Sequence, residues 1–339
     1  MSYPALPAPS MSWDMDVQAP AAILALMPIA STALQSGYAS YQPTSEQFTK
    51  NVPMTAAGQL ILPVVDRLYA PRLWVDDVEI QPVVVRAIGA APQPWSQAFG
   101  IDRFFFEDCG PQVGSFIEGV FTEVGHSIRS FQDVLAAFAL SSARTTLYYD
   151  GADYAAANHP TDPENPTGPG GSWSNLLPQF PLTRENLWKA LATFMQIPGK
   201  DGLPWSNRTS GIKLVVPSAL YPLAINAVRS TLMATAVSEP GIGVSGVASE
   251  NNTFLKMAVD DVIVLQTLSD QTTWYLLDTS SAALPPVIVA MREPFHIVPR
   301  VSPQDPVVWG QHKFLWATVG RMEASLTLAQ NLMVCTSGA

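Results

Sequence analysis

The chain holds few of the residues from which reactive sites are usually built. Only two of its 339 residues are cysteine, Cys109 and Cys335, which excludes a disulfide framework and lacks the spacing of a zinc cluster. Cys109 sits beside Glu107 and Asp108, whose negative charge opposes thiolate formation. The four histidines, His126, His159, His296 and His312, are scattered, and none falls in a His-Glu-x-x-His pattern. Charge is scarce as well: Asp, Glu, Lys and Arg make up 14% of the chain, against about 25% in an ordinary soluble domain. A monomer so poor in charge exposes apolar patches, and such patches mark surfaces covered by other subunits.

The charge that exists is mostly negative, with a formal net of −10. That excludes a protein whose work is to grip phosphate backbones through a basic face. It is compatible with a container wall that does not adhere to enclosed nucleic acid. Long apolar runs are also missing. Ala19 to Leu34 is the nearest to one, but it is shorter than a membrane span, and Asp14 and Asp16 precede it where a signal peptide would carry Lys or Arg. No membrane contact is expected, and a cytoplasmic site of synthesis is.

Proline is plentiful, with 30 residues, and the 47% hydrophobic content is enough for a large core. Residues 1 to 58 contain Pro4, Pro7, Pro9, Pro20, Pro28, Pro43 and Pro53, one basic side chain (Lys50) and few long periodic apolar runs. Such a segment is either a floppy terminus or an arm ordered by lying across neighbouring subunits. From Leu60 to Ile88 the pattern is β, interrupted by Pro63 and Pro82, as in edge strands or a projecting ribbon. Then Ile117, Val120, Phe121, Val124, Ile128, Phe131, Leu135 and Phe138 recur at threes and fours, which predicts a helix over about 115–142, roughly 40 Å long at about 1.5 Å per residue.

Thr183 is the expected N-cap of a second helix with Leu187, Leu191, Phe194 and Met195 on one face and Pro198-Gly199 at its end. A strand at Ile212 to Val216 leads into a third helix bearing Leu220, Leu223, Ala224, Ala227, Val228 and Leu232, with Pro222 in its first turn. Strands are predicted at Val262–Leu268, Thr273–Leu277, Val287–Met291, Lys313–Val319 and Met322–Leu328. The fold class is α+β.

Candidate chemistry is thin. Gly241-Ile242-Gly243-Val244-Ser245-Gly246 spells a dinucleotide loop, but a helix and Glu239-Pro240 are expected before it and a polar, turn-rich stretch after it, so a mobile loop is the better reading. His159 with Asp162 and Glu164 could be drawn as metal ligands, but Pro160 and Pro163 interrupt them, and a loop histidine making one hydrogen bond is favoured. Gly243-Val244-Ser245-Gly246 misses the nucleophile elbow by one position. The pairs Asp76-Asp77 and Asp260-Asp261 are read as solvated carboxylates. Neither an enzyme nor a cofactor is expected.

One ordered series stands out: a long helix, Tyr149-Asp150-Gly151, His159-Pro160, Ser174-Asn175-Leu176, Pro181-Leu182-Thr183 with Glu185-Asn186-Leu187, Asp201-Gly202, and Leu214-Val215-Val216-Pro217. This order resembles the Mu-like branch of tailed-phage major capsid proteins. The resemblance implies a Hong Kong 97-type capsid fold with an N-terminal arm (1–58), an extended loop (59–105), a peripheral domain with its spine helix (106–210), an axial domain (211–295) and return strands (296–339). It implies self-assembly through hexamers and pentamers into an icosahedral shell around double-stranded DNA, bound without sequence specificity, in a virion assembled in a host cytoplasm. Scaffold, portal and decoration proteins are the further partners it brings in. Expected inter-subunit contacts are Tyr69 and Trp74 in the extended loop and Gly241, Gly243, Gly246 and Asn251 near a capsomer centre. The rivals are an encapsulin-like nanocompartment shell and, from a different class, a soluble α+β hydrolase.

Overall fold

The computed structural model describes residues 18–54, 60–65, 85–102, 105, 108, 112–163, 171–199, 202–205, 210–229, 232–237, 246–251, 258–280, 284–300 and 313–337. In chain order the elements are α1 (Gln18–Ser40), β1 (Thr49–Pro53), β2 (Leu60–Val65), β3 (Val85–Ala90), β4 (Gln93–Asp102), α2 (Val113–Ser141), β5 (His159–Pro160), β6 (Ser172–Trp173), β7 (Leu176–Leu177), α3 (Arg184–Met195), β8 (Ile212–Val216), α4 (Tyr221–Arg229), β9 (Leu232–Val237), β10 (Gly246–Asn251), β11 (Val259–Val264), β12 (Thr273–Asp278), β13 (Val287–Arg300), β14 (Lys313–Leu326) and β15 (Leu332–Thr336). The chain forms two compact units, and α2, β13 and β14 each contribute residues to both.

The first unit draws on Met1–Gln42, Gln93–Ser130 and Arg292–Met322. Its core joins Ala30, Ala33 and Leu34 of α1 to Ile117, Phe121, Val124 and Ile128 of α2, with Ile101, Phe314 and Trp316 from the strands. Phe121 is the centre of this cluster, meeting the rings of Phe99 and Trp316 edge-on at 5.5 and 5.2 Å. β4 and β14 pair antiparallel from Gln93 opposite Met322 to Asp102 opposite Lys313.

Within the first 58 residues, Gln18–Ser40 form a helix that the sequence pattern did not indicate. Leu26, Met27, Ala30, Ala33, Leu34 and Tyr38 do lie on one stripe, packed against α2. Alanines in that stripe make it look weakly apolar, and Pro28 inside the helix breaks the signal further. The two helices also cross very closely at Gly125. A Cβ there would lie 2.6 Å from the Tyr38 backbone nitrogen and would meet the Leu34 carbonyl oxygen, neither of which can swing aside.

The second unit draws on Pro43–Pro92, Phe131–Met291 and Glu323–Ala339. Its five-stranded sheet has the order β11-β8-β12-β15-β7. β8 runs parallel to β11 and antiparallel to β12, while β15 is antiparallel to β12 and parallel to β7. Every residue of β12 and β15 is buried, as in a sheet covered on both faces. α3 packs against β15, and α4 against β8 and β11. Thr183 is the N-cap of α3, its hydroxyl accepting from the Asn186 N–H (3.2 Å), and Leu187, Ala190, Leu191 and Phe194 form the buried face.

Asp133 of α2 ties the segment before β1 into this unit. Its carboxylate accepts from the N–H groups of Thr44 (3.2 Å) and Ser45 (2.7 Å), capping the short 3-10 turn Thr44–Gln47. β1 then pairs in parallel with the start of β13, Thr49 opposite Val287. β2 and β3 form a two-stranded antiparallel ribbon, as the proline-interrupted pattern predicts.

Several boundaries differ from the sequence reading. α2 covers Val113–Ser141, close to the expected 115–142, but Phe138 is 72% exposed rather than part of the apolar stripe. Beyond Phe131 the helix buries Gln132, Asp133, Leu135, Ala136, Ala137, Ala139 and Leu140, leaving Val134 and Phe138 on the one open strip. Leu232 opens β9 instead of closing α4, Leu223 is exposed, and the strands expected at 313–319 and 322–328 are one strand, β14. Gly246 to Asn251, expected to begin a polar, turn-rich stretch, is a strand paired with β9, while Gly241 to Ser245 lie outside the described residues.

Replacing Gly125 with alanine is expected to lower the thermal midpoint, because a backbone clash of about 1–3 kcal/mol outweighs the roughly 1 kcal/mol gain in helix propensity. Gly119, one and a half turns earlier in α2, has nothing within 4 Å of an added Cβ. Gly119→Ala is therefore expected to raise the midpoint, and circular dichroism melts of the two variants would show the opposite signs.

Candidate functional site

The second unit contains a buried polar junction that gathers the tract from Tyr148 onward. The chain leaves α2 through a 3-10 turn at Ser142–Arg144 and then reverses tightly. Gly151 has φ +86°, a conformation glycine adopts without penalty, and its N–H donates to the Tyr148 carbonyl (3.1 Å). Asp150 locks the same turn by accepting from the Ala152 N–H on Oδ1 (2.9 Å). Its other oxygen, Oδ2, is held 2.7 Å from His159 Nδ1.

His159 is fully buried and lies flat on the Trp173 indole, with centroids 4.3 Å apart and planes 20° apart. The short strands β5 and β6 set that stacking by pairing His159 with Trp173. On its far side the imidazole meets Asn175 Oδ1 at 3.1 Å from Nε2. The amide orientation is fixed independently: Asn175 Nδ2 donates to the carbonyls of Tyr154 (2.6 Å) and Ala329 (3.1 Å), and Oδ1 accepts from the Ala156 N–H (2.9 Å). Both ring nitrogens therefore face acceptor oxygens, Nδ1 that of the Asp150 carboxylate and Nε2 that of the Asn175 amide.

Tyrosines close the rest. Tyr148 donates to Gln330 Oε1 and Tyr154 to the Leu326 carbonyl, both at 3.1 Å. Burial pushes both phenols well above their ordinary range, so each stays neutral and acts as a donor. The Asn175 backbone adds two more bonds, its N–H to Ala156 O (3.1 Å) and its carbonyl from Val334 N–H of β15 (2.8 Å).

The sequence reading placed His159 on a loop with a single hydrogen bond; it makes two. Of the proposed metal partners, Asp162 lies in the turn after β5 and Glu164 falls outside the described residues. Among the described residues no group of three or more His, Cys, Asp or Glu is placed to hold a metal ion. Cys335 is buried in β15, and burial raises its thiol pKa well above the ordinary value. Cys109 and the pair Asp76-Asp77 lie outside the described residues. Asp260 accepts from the Gly211 N–H (2.8 Å), and Asp261 pairs with Arg229 (2.7 Å) at the surface.

Of the expected contact residues, Tyr69, Trp74, Gly241 and Gly243 lie outside the described residues. Gly246 and Asn251 stand at opposite ends of β10, facing Val237 and Leu232 across the hairpin. A strand, β9, precedes the glycine series where a helix was expected, but another strand follows it, so no helix N-terminus is presented to a phosphate. Signals for the junction were present in the spelling Asp150-Gly151, His159 and Asn175, although the partner carbonyls of Leu326 and Ala329 are more than 150 residues further on.

A family model described as Mu-like prophage major head subunit gpT matches residues 23–180 and 258–337. The chain belongs to this family. The matched residues include the whole polar junction, from Tyr148 to Asn175 and from Leu326 to Gln330. Among solved structures, the procapsid of bacteriophage JBD30 shares 16% identity over 94% of this chain and 75% of that one, with a TM-score of 0.52. The capsid of a native GTA particle shares 10% identity over 88% and 92% of the two chains, with a TM-score of 0.50. No curated protein sequence matches. The fold is thus the Hong Kong 97-type capsid fold, and this head subunit is a structural major capsid protein whose family works by building a shell rather than by catalysis.

Replacing Asn175 with alanine leaves the Ala156 N–H, two carbonyls and the His159 ring without their partner, and each buried orphan costs about 1–3 kcal/mol. Asn175→Ala is expected to destabilise the subunit by about 3 kcal/mol or more in urea unfolding. Exposed Asn186, whose side chain donates to Pro181 O (2.9 Å), serves as the control and should shift by less than about 1 kcal/mol.

Proposed function

We propose that this head subunit assembles through hexamers and pentamers into a closed icosahedral shell that encloses double-stranded DNA without sequence-specific binding. The observation that carries this reading is an apolar strip on α2. Val134 and Phe138 are 42% and 72% exposed on a helical segment otherwise buried on every side, and Leu147, just beyond the helix, is also 72% exposed. Such side chains stabilise a subunit only when another surface covers them, by about 1.5–3 kcal/mol each on full burial. In a shell built from one kind of chain, that surface belongs to another copy.

The net charge of −10 supports enclosure without adhesion, since a wall of the same sign as DNA does not bind its phosphates. The division of labour that follows from the family resemblance is an arm over 1–58, an extended loop over 59–105, a peripheral domain over 106–210, an axial domain over 211–295 and return strands over 296–339. Tyr69 and Trp74 are assigned to contacts made by the extended loop, and Gly241, Gly243, Gly246 and Asn251 to contacts near the capsomer centre. Assembly takes place in a host cytoplasm, with scaffold, portal and decoration proteins as accessory partners. A head-subunit family match favours a genome container over a nanocompartment with protein cargo. No helix among the described residues is long and apolar enough to cross a membrane.

Light scattering and negative-stain microscopy of the expressed chain, alone and with accessory head proteins, test the reading. Rings or shells are expected, and a stable monomer under every condition would sink it. Phe138→Ser should leave subunit unfolding nearly unchanged while raising the concentration needed for assembly about tenfold, the effect of losing one buried aromatic contact.

A further inference from the structure

The junction also presents a small polar cavity that its hydrogen bonds do not account for. Tyr149, Asp150, Pro160, Thr161, Trp173, Pro198, Trp205 and Gln330 are among the residues around it, and it offers about 20 Å³ to the centre of a water-sized sphere. That is room for one water molecule and no larger ligand, since a single water needs about 10–15 Å³ by this measure. Thr161 on its wall is more than nine-tenths buried, yet its hydroxyl has no hydrogen-bond partner in the protein. A buried hydroxyl without a partner is costly, and a site of this size and polarity supplies one at little entropic expense.

We propose that this cavity is a structural water site, in which one water bridges the Thr161 hydroxyl and the Asp150 carboxylate. Asp150 has the capacity. An ionised carboxylate accepts about four hydrogen bonds, and the Ala152 N–H and His159 ring account for two. The water would extend the junction in a new direction. Asp150, His159 and Asn175 link the first turn to β5, to the start of β7 and to Ala329, and the cavity is lined as well by Pro198 and Trp205. Trp205 N–H donates to Ile197 O (2.8 Å) and Gly199 N–H to Leu203 O (2.7 Å), so backbone hydrogen bonds hold these residues beside the cavity.

The water site makes a prediction of opposite sign to an orphan hydroxyl. Thr161→Val keeps the shape and deletes the hydroxyl. If Thr161 had no partner of any kind, removing it would stabilise the fold. With a bridging water, Thr161→Val is expected to lower the folding equilibrium constant of the full-length chain about threefold to tenfold, the value of one net hydrogen bond. Thr161→Ser, which retains the hydroxyl, should fall by less. A Val variant as stable as the parent, or more stable, overturns the proposal.

A map of the wild-type particle or subunit at a resolution that shows ordered solvent provides the second readout, and it stands even if the Val variant fails to fold. One solvent peak within about 2.7–3.2 Å of Thr161 Oγ1 is expected. A cavity without a peak overturns the proposal, as does a peak ringed by oxygens at the shorter distances of a bound metal cation.

Discussion

Asn175 joins several irregular segments of the second unit through one buried amide. One amide satisfies two carbonyls, one N–H and one imidazole, and its backbone bonds Ala156 and Val334. The segments so joined are the turn after α2, the strand pair β5–β6, the 3-10 turn at Ala329–Asn331 and the last strand of the sheet. A buried polar group in such a position must be satisfied completely or it becomes a liability of several kcal/mol. That requirement explains why so many irregular segments occupy single, defined paths here. Ala156, Tyr154 and Ala329 supply the backbone groups that the amide needs, and Val334 bonds its backbone carbonyl.

What the sequence made legible follows from what is local. α2 and α3 were readable because a 3.6-residue stripe and an N-cap are written in consecutive residues, and Thr183 caps α3 as its spelling says. β8 was readable because a strand buried at all but Lys213 is a short apolar run closed by proline. α1 was not, because its packing depends on small residues: Ala30 and Ala33 form part of its buried face, and Gly37 permits close approach to Thr122 and Gly125 of α2, a property no hydrophobicity scale registers. Phe138 misled for the converse reason. It fits the stripe numerically, but the helix beyond Phe131 is buried through Leu135, Ala136, Ala139 and Leu140, which leaves Phe138 on the open strip. The partners of His159 were half legible, since Asp150 lies nine residues away but one of the two carbonyls that orient Asn175, that of Ala329, comes from the far end of the chain.

The scarcity of charge takes on a specific meaning once the exposed side chains are located. A low charge fraction alone is compatible with an ordinary large core. Here apolar area remains outside, at Val134, Phe138, Leu147 and Trp188 of the second unit. Surface ion pairs among the described residues, such as Lys189 with Glu185, contribute little to folding in water. Stability within a subunit thus comes from packing and satisfied backbone groups, and the same kind of interaction is left available on the outside. A chain that assembles many copies gains from this arrangement, because each uncovered apolar contact is repeated at every interface, whereas charge would have to be complementary at all of them.

The Asp150–His159 pair shows why residue type alone does not make a reactive site. Carboxylate, imidazole and amide in sequence, at 2.7 and 3.1 Å, are the parts of an acid–base relay when the imidazole opens on a cleft with a nucleophile beside it. In this subunit the ring is sealed by Trp173 on one face and by Tyr148 edge-on at 5.9 Å. Both of its nitrogens are engaged, so none remains to exchange a proton with a substrate. Imidazole is suited to this sealed role for the same reason it is suited to catalysis: it is a rigid plate with polar atoms at two fixed directions. Facing Asp150 on one side and Asn175 on the other, it spans a gap that no aliphatic or amide side chain bridges with both ends bonded.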